Sequence, residues 1–237
     1  MKLEGKNPIR EVINSGASIN KLYVLDKIAD PQIREWVQIA KKSHARVEWV
    51  DKKTLDKLSE TGHHQGIIAE VADFKYTDLD EILKKDGDLL LVLLDDLQDP
   101  HNLGSVIRVA ECAGADAVII PSRNSVVVNE TVIRVSAGAS AHMPVCRVGN
   151  LNATIEKLKK QNVWVFGADM DGETMYKTNL KGNIALVIGA EGTGLGRLTK
   201  ELCDQVISIP MHGKVNSLNA SVSAGILLYE AVRQRSK

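Results

Sequence analysis

The chain has 237 residues, 44% apolar and 25% charged, which suits one large α/β domain or two smaller ones of ordinary globular composition. Its 30 basic residues balance 30 acidic ones, and no segment strays far from neutrality: 12 against 10 over residues 1–72, 3 against 5 over 73–87, and the remaining 15 against 15 over 88–237. That balance excludes coating nucleic acid by bulk electrostatics, so binding RNA would need a local patch and shape recognition.

No apolar run approaches the ~18–20 residues of a membrane span; the longest, such as Leu89–Leu94, are strand-sized. Charges are scattered through MKLEGKNPIREV, with no apolar signal core. Cys112, Cys146 and Cys203 are odd in number, far apart and without CxxC spacing, so neither a disulfide frame nor a zinc site is supported. They are expected to be reduced, partly buried and inert, and the chain to reside in the cytoplasm.

In chain order, GKNPIREVINSG predicts a helix ending at Gly16, KLYVLD a strand and DPQIREWVQIAKKSH a helix with Pro31 in its first turn. RVEWVD predicts a strand, KKTLDKLSETG a helix and GIIAEVA a third strand. Residues 1–72 are thus expected to form a small α/β domain. Residues 73–87 (DFKYTDLDEILKKDG) are polar and predict a linker carrying one short, solvated helix.

From residue 88 to 237 strand and helix alternate. LLLVLL is apolar without alternation, the mark of a strand buried on both faces. DPHN starts a helix on which Leu103, Val106, Ile107, Ala110 and Ala113 fall at helical spacing, ending at Gly114. AVII predicts a strand, TVIRVSAGASAHM a helix, PVCRVG a strand and NATIEKLKKQN a capped helix. WVFGAD, ALVIGA and VISIPM supply three more strands. A last helix over about Ser217–Gln234 aligns Leu218, Val222, Ile226, Tyr229 and Val232 or Arg233 on one apolar face. The expected fold is α/β, a parallel sheet covered by helices.

Three segments at strand-to-loop junctions hold the unusual residues: DPHNLGSVIR, LVIGAEGTGLG and ISIPMHGKVNSLNASVSAGILLYEA. Ligands of parallel sheets sit beyond the carboxyl ends of strands, so three such loops suggest one site. GAEGTGLG lacks the Lys-Ser/Thr of a P-loop and the spacing of G-x-G-x-x-G, which counts against a Rossmann-type dehydrogenase. Its glycines permit backbone to press against a flat ligand such as adenine, although a flexible turn explains them equally well. Taken singly, Arg108 reads as a solvated arginine, Asn102 as a helix cap, and Asn216, Ser217, Asn219 and Ser221 as residues that open a helix. Glu191, set among the glycines, needs a partner, either an arginine or a ligand donor.

As an ordered set, N-L-G-x-x-x-R, G-x-E-G-x-G and I-P-M-x-G-x-V-x-S-L-N-x-S resemble the SpoU (TrmH) class of SPOUT RNA ribose 2′-O-methyltransferases, over about Leu89–Arg235. EGKNPIREVI and GHHQGIIAEV more briefly resemble the substrate-binding domain of the RlmB-type branch, which methylates a guanosine in large-subunit (23S) ribosomal RNA and whose N-terminal domain is similar to L30e and L7Ae modules. The resemblance implies a SPOUT-type parallel sheet with a C-terminal trefoil knot, bound S-adenosylmethionine and a homodimer whose sites draw on both chains. It implies cofactor contacts at Gly189, Ile209 and Leu218, with Ala190, Gly192 and Met211 nearby, and a catalytic shell of Asn102, Arg108, Glu191, Ser217 and Asn219. No metal is implied.

In that reading the methyl passes from a sulfonium to a ribose 2′-hydroxyl, so alignment of the reacting atoms carries much of the catalysis. A guanidinium essentially never deprotonates, so Arg108 is expected to bind the neighbouring phosphate and developing oxyanion charge rather than act as a base. Asn102 and Ser217 would orient the hydroxyl, while Glu191 would hold Arg108 or bridge loops. Lys6, Arg10, His63 and His64 are candidates for docking RNA, against the alternative that His63-His64 is a polar turn before a strand. A tRNA 2′-O-methyltransferase and a non-catalytic RNA-binding or ribosome-assembly factor remain as alternatives.

Overall fold

A computed structural model describes residues 1–15, 19–214 and 217–236. It opens with a strand that the charged N-terminus conceals, β1 (Lys2–Glu4), too short for alternation to register. Then come α1 (Lys6–Ser15), β2 (Ile19–Leu25), α2 (Pro31–Lys42), β3 (Arg46–Val50), α3 (Lys52–Leu58) and β4 (Ile67–Val71), in the expected order. The sheet runs β1-β4-β2-β3, with β2–β3 parallel and the other pairs antiparallel. Helix α2 starts where its sequence says: Asp30 accepts from the N–H groups of Gln32 and Ile33 and Pro31 occupies the first turn, while Ile33, Trp36, Val37 and Ala40 face inward. The expected helix end at Gly16 lies outside the described residues.

The stretch expected to be a solvated linker, 73–87, is a correction. Its single turn of helix, α4 (Leu79–Ile82), buries Leu79 and Ile82 in the same apolar cluster as Leu91, Ile119 and Val187. Two apolar residues one turn apart are too few for periodicity to show.

The chain falls into two compact units that do not follow its order: Met1–Lys75 with Asn129–His142, and Tyr76–Val128 with Met143–Lys237. The expected boundaries at 72 and 88 missed the returning segment. That segment is tied in by the Glu4 N–H donating to the Glu130 carboxylate at 3.2 Å, a contact across 126 positions that local pattern cannot encode.

In the second unit β5 (Leu90–Leu94), α5 (Pro100–Cys112) and β6 (Ala117–Pro121) precede α6 (Glu130–Val135), which belongs to the first unit. The long helix expected over TVIRVSAGASAHM breaks after α6. Ala137 and Gly138 turn left-handed, at φ 49° and 96°, and only a 3₁₀ turn (Ala139–Ala141) follows. The φ of Gly138 strains any other side chain, so a glycine is favoured there whether or not the Glu11 carboxylate beside it gives way.

Next come β7 (Val145–Val148), α7 (Leu151–Lys160), β8 (Trp164–Thr174), β9 (Ile184–Ile188), α8 (Arg197–Leu202), β10 (Gln205–Ser208) and α9 (Ala220–Arg235). Their sheet is parallel throughout, in the order β10-β8-β9-β5-β6-β7. Strands β5, β6 and β9 are buried at every residue, as unbroken apolar runs require, and each of their Val, Leu and Ile side chains contributes roughly 1.5–3 kcal/mol by leaving water.

Helix α9 corrects another expectation. It packs on α5 through the opposite side, burying Ala224, Leu227, Leu228 and Ala231, while Val222 and Tyr229 of the expected core face stay 48% and 50% exposed. Apolar residues occur on every side of the helix, so spacing alone could not choose its inner face.

Candidate functional site

Because every strand of the second sheet points the same way, the loops after β5, β9 and β10 leave it at one edge. Helix α5 is capped by Asp99, which accepts from the His101 N–H at 3.0 Å. The cap reading of Asn102 is thereby corrected. Three residues inside the helix and 6% exposed, its side chain is free for other bonds. Asn102 Nδ2 donates to Glu191 Oε1 at 3.1 Å, and Asn102 Oδ1 accepts from Asn219 Nδ2 at 2.8 Å. Asn219 Nδ2 also donates to Glu191 Oε1, which accepts from the Ala220 N–H at 3.3 Å as well.

Asn219 caps α9 through its Oδ1, which accepts from the N–H groups of Ser221 and Val222, and the Glu191 carboxylate sits against that positive helix end. One carboxylate and two amides thus tie together the three loops that sequence had singled out.

Beside this cluster lies a cavity of about 510 Å³, lined by Gly189, Ala190, Glu191, Gly192, Ile209, Met211, Ser217 and Leu218 among others. All six residues proposed for the cofactor are in its wall. The turn after β9 is tight: the Gly194 N–H returns to the Ala190 carbonyl at 3.0 Å and Gly194 adopts φ 65°. A Cβ at Gly189 would overlap the Gly194 backbone. Asn216, like Val215, lies outside the described residues.

Arg108 does not join the cluster. Six residues beyond Asn102, it is about 240° round the helix, exposed and without a hydrogen-bond or ion-pair partner among the described residues. The expectation that Glu191 might hold it is corrected; Glu191 bridges loops instead.

The proposed RNA contacts of the first unit are unevenly available. His64 is 8% exposed; its Nδ1 accepts from the Gly66 N–H at 3.0 Å, so the ring hydrogen sits on Nε2, which donates to Asp56 at 2.9 Å. With both nitrogens engaged it supports the turn before β4, a correction to its role as a contact. Lys6 is paired with Asp30, Arg10 lies 3.4 Å from Glu11, and His63 is exposed.

Sequence reasoning missed Asp169 and Lys200, which also line the cavity, 3.0 Å apart. Asp169 ends the predicted strand WVFGAD, and the strand-end rule applied there would have found it.

The SpoU rRNA methylase family model matches residues 89–229, and a model described as RNA 2′-O ribose methyltransferase substrate binding matches 2–77. This chain belongs to the SpoU family. A Bacillus subtilis protein, YacO, assigned to the TrmH family of tRNA/rRNA methyltransferases, is 43% identical over 98% of this chain and 95% of its own length. The SpoU methyltransferase AviRb from Streptomyces viridochromogenes, solved with S-adenosylmethionine, superposes with a TM-score of 0.84 at 27% identity, covering 99% of this chain and 90% of that one. A structure described for 2-OH methylation of C/U34 on tRNA matches with a TM-score of 0.57 at 26% identity, over 63% of this chain and 97% of its own.

The chain is therefore an RNA methyltransferase of the SpoU family, and S-adenosylmethionine is its cofactor. The cavity fits that molecule. Glycine backbone and the side chains of Ile209 and Leu218 suit an adenine, and the same wall carries charged groups, Asp169, Glu191 and Lys200, of the kind a polar tail requires.

Proposed function

We propose that this SpoU methyltransferase transfers a methyl group to the ribose 2′-hydroxyl of a guanosine in large-subunit ribosomal RNA, and does so as a homodimer. The observation that carries the reading is the Asn102–Glu191–Asn219 cluster beside the glycine-walled cavity. Bound S-adenosylmethionine supplies an electrophilic methyl on a sulfonium.

The chain's own residues do the rest. Gly189, Ala190, Gly192, Ile209, Met211 and Leu218 wall the cofactor, and Asn102 and Ser217 orient the ribose hydroxyl. Asn219 holds Glu191 in place, and Glu191 Oε2, free of partners among the described residues, is the acceptor available to the hydroxyl proton. Arg108 stays protonated and binds the phosphate next to the target.

Two observations support the dimer: Arg108 reaches no group of its own cluster, and the apolar face of α9 at Val222 and Tyr229 is uncovered in the single chain. A second copy laid on α9 would cover that face and receive Arg108 at its site. Sedimentation equilibrium of Tyr229→Glu against the wild type tests this, with a monomeric variant expected. A trefoil knot at the C-terminal end belongs to the same reading. It is supported by β10 returning to the edge beyond β8 and by Arg235 donating to the carbonyls of Leu89 and Leu180. Pulling on the two ends of one chain should leave a tightened loop rather than a fully extended chain.

Ribosomal RNA is favoured over tRNA because the tRNA-related structure, though matched over 97% of its own length, covers only 63% of this chain, too little to span both the methylase region at 89–229 and the substrate-binding region at 2–77. The decisive experiment is transfer of labelled methyl to large-subunit RNA fragments and to tRNA, followed by mapping of 2′-O-methyl positions. Label confined to tRNA, or found on a base, overturns the proposal.

A further inference from the structure

Asp169 stands in the cavity wall with its side chain 14% exposed. Its Oδ1 is engaged twice, by Lys200 Nζ at 3.0 Å and by the Asp171 N–H at 3.2 Å. Its Oδ2 has no partner among the described residues, and it points at the glycine turn, 3.3 Å from where a Cβ on Gly194 would stand. An unpaired carboxylate oxygen on a side chain that lines a cavity is available to a donor from a ligand.

Lys200, on α8, donates to Asp169 and lies 3.4 Å from Asp171, which leaves one of its three hydrogens uncommitted. The hydrogen bond to Asp169 raises its pKa and outweighs desolvation, so the ammonium is held charged. Among the described residues lining the cavity, these are the contacts between opposite charges. The remaining charged groups are Glu191, bound to the loop amides, and Arg197, 91% exposed and 3.8 Å from Glu201.

We infer that Asp169 and Lys200 bind the amino-acid end of S-adenosylmethionine, Asp169 Oδ2 accepting from its α-ammonium and Lys200 donating to its α-carboxylate. That end carries both charges on a single carbon, and an acid and a base 3.0 Å apart mirror them with signs reversed. The apolar and backbone wall cannot provide this, because it selects for the adenine and is indifferent to the tail. The inference rests on the cofactor alone and not on which RNA is methylated.

The test is calorimetric titration of the full chain with S-adenosylmethionine, its decarboxylated form and 5′-methylthioadenosine, which keeps adenine, ribose and thioether but lacks the amino-acid end. Asp169→Asn should weaken both ammonium-bearing ligands by about tenfold or more and leave 5′-methylthioadenosine within about twofold. Lys200→Met should weaken S-adenosylmethionine by about tenfold and spare the decarboxylated form, with Lys200→Arg restoring most of the loss. Equal losses on 5′-methylthioadenosine would move Asp169 to the ribose hydroxyls and overturn the inference, as would unchanged affinity for S-adenosylmethionine. Should Asp169→Asn fail to melt cooperatively, the Lys200 arms decide, since that side chain is partly exposed on a surface helix. Wild-type protein that binds none of the three would instead count against the cofactor.

Discussion

Two buried or bridging glutamates show how the units use similar polar residues to different ends. In the first unit Glu4, 4% exposed, accepts from Ser59 Oγ at 2.5 Å, Thr61 Oγ1 at 2.7 Å and the N–H groups of Glu60 and Thr61. Both of its oxygens are engaged, and it ties the loop after α3 to β1. In the second unit Glu191 fills one oxygen with Asn102, Asn219 and the Ala220 N–H and leaves the other free beside the cavity. A polar cluster closed on itself stabilises a fold, whereas one that stops a bond short at a cavity wall is available to a ligand. His64 follows Glu4 and Asp169 follows Glu191.

Breaking the open cluster should have the largest effects. Gly189→Ala forces a Cβ into the Gly194 backbone, so the turn must move. Cofactor affinity measured by calorimetry should fall by about a hundredfold or more, with stability lowered by roughly 1–3 kcal/mol. A variant that binds normally would mean the turn is not the cavity wall.

Next comes Arg108→Ala. The guanidinium is exposed and unpaired in the single chain, so single-turnover methylation should drop by about a hundredfold while cofactor affinity and melting temperature stay put. A matching fall in melting temperature would assign Arg108 to the fold instead. Asn102→Ala removes a buried amide that both donates and accepts, and urea unfolding should register a loss of about 1–3 kcal/mol.

The closed cluster predicts smaller effects that depend on pH. Desolvation, followed by the charge of Glu4, raises the pKa of Glu130. At Glu4 desolvation also pushes upward but is outweighed by the hydrogen bonds from Ser59, Glu60 and Thr61, and the net shift is downward. The two therefore act with opposite signs. Glu4 stabilises the fold above the ordinary glutamate range and loses that contribution as pH falls through its depressed value. Ionised Glu130 destabilises the fold above that range and is relieved when protonated. Glu130→Gln, which keeps an acceptor for the Glu4 N–H, should raise the unfolding free energy near neutral pH by no more than about 1 kcal/mol, the gain vanishing in acid. A gain that persists in acid would show that repulsion was not the cause.

The smallest effect concerns the thiols. Burial pushes Cys146 to about 11 and Cys203 to about 12, whereas Cys112 is exposed, contrary to the expectation that all three are partly buried. Iodoacetamide at neutral pH should add one label per chain, at Cys112, by peptide mass mapping.

The residue pattern alone determined the parallel α/β half, because unbroken apolar runs such as Leu90–Leu94 have no other stable home and the glycine, asparagine and serine loops fall at strand ends. Through the family resemblance of its motifs it also pointed to six residues that all line the cavity, since residues in a glycine turn and at strand ends sit where the backbone can approach a ligand. It could not choose the buried face of α9, where apolar residues lie on every side, nor see that Asn102 is a bridging residue rather than a cap. Nor could it tell a contact residue from a satisfied one at His64, or pair Asp169 with Lys200 across 31 positions. Such outcomes depend on which groups become neighbours once strands distant in sequence are laid side by side. Hydrogen bonding and burial are properties of those neighbours, and only the tertiary structure supplies them.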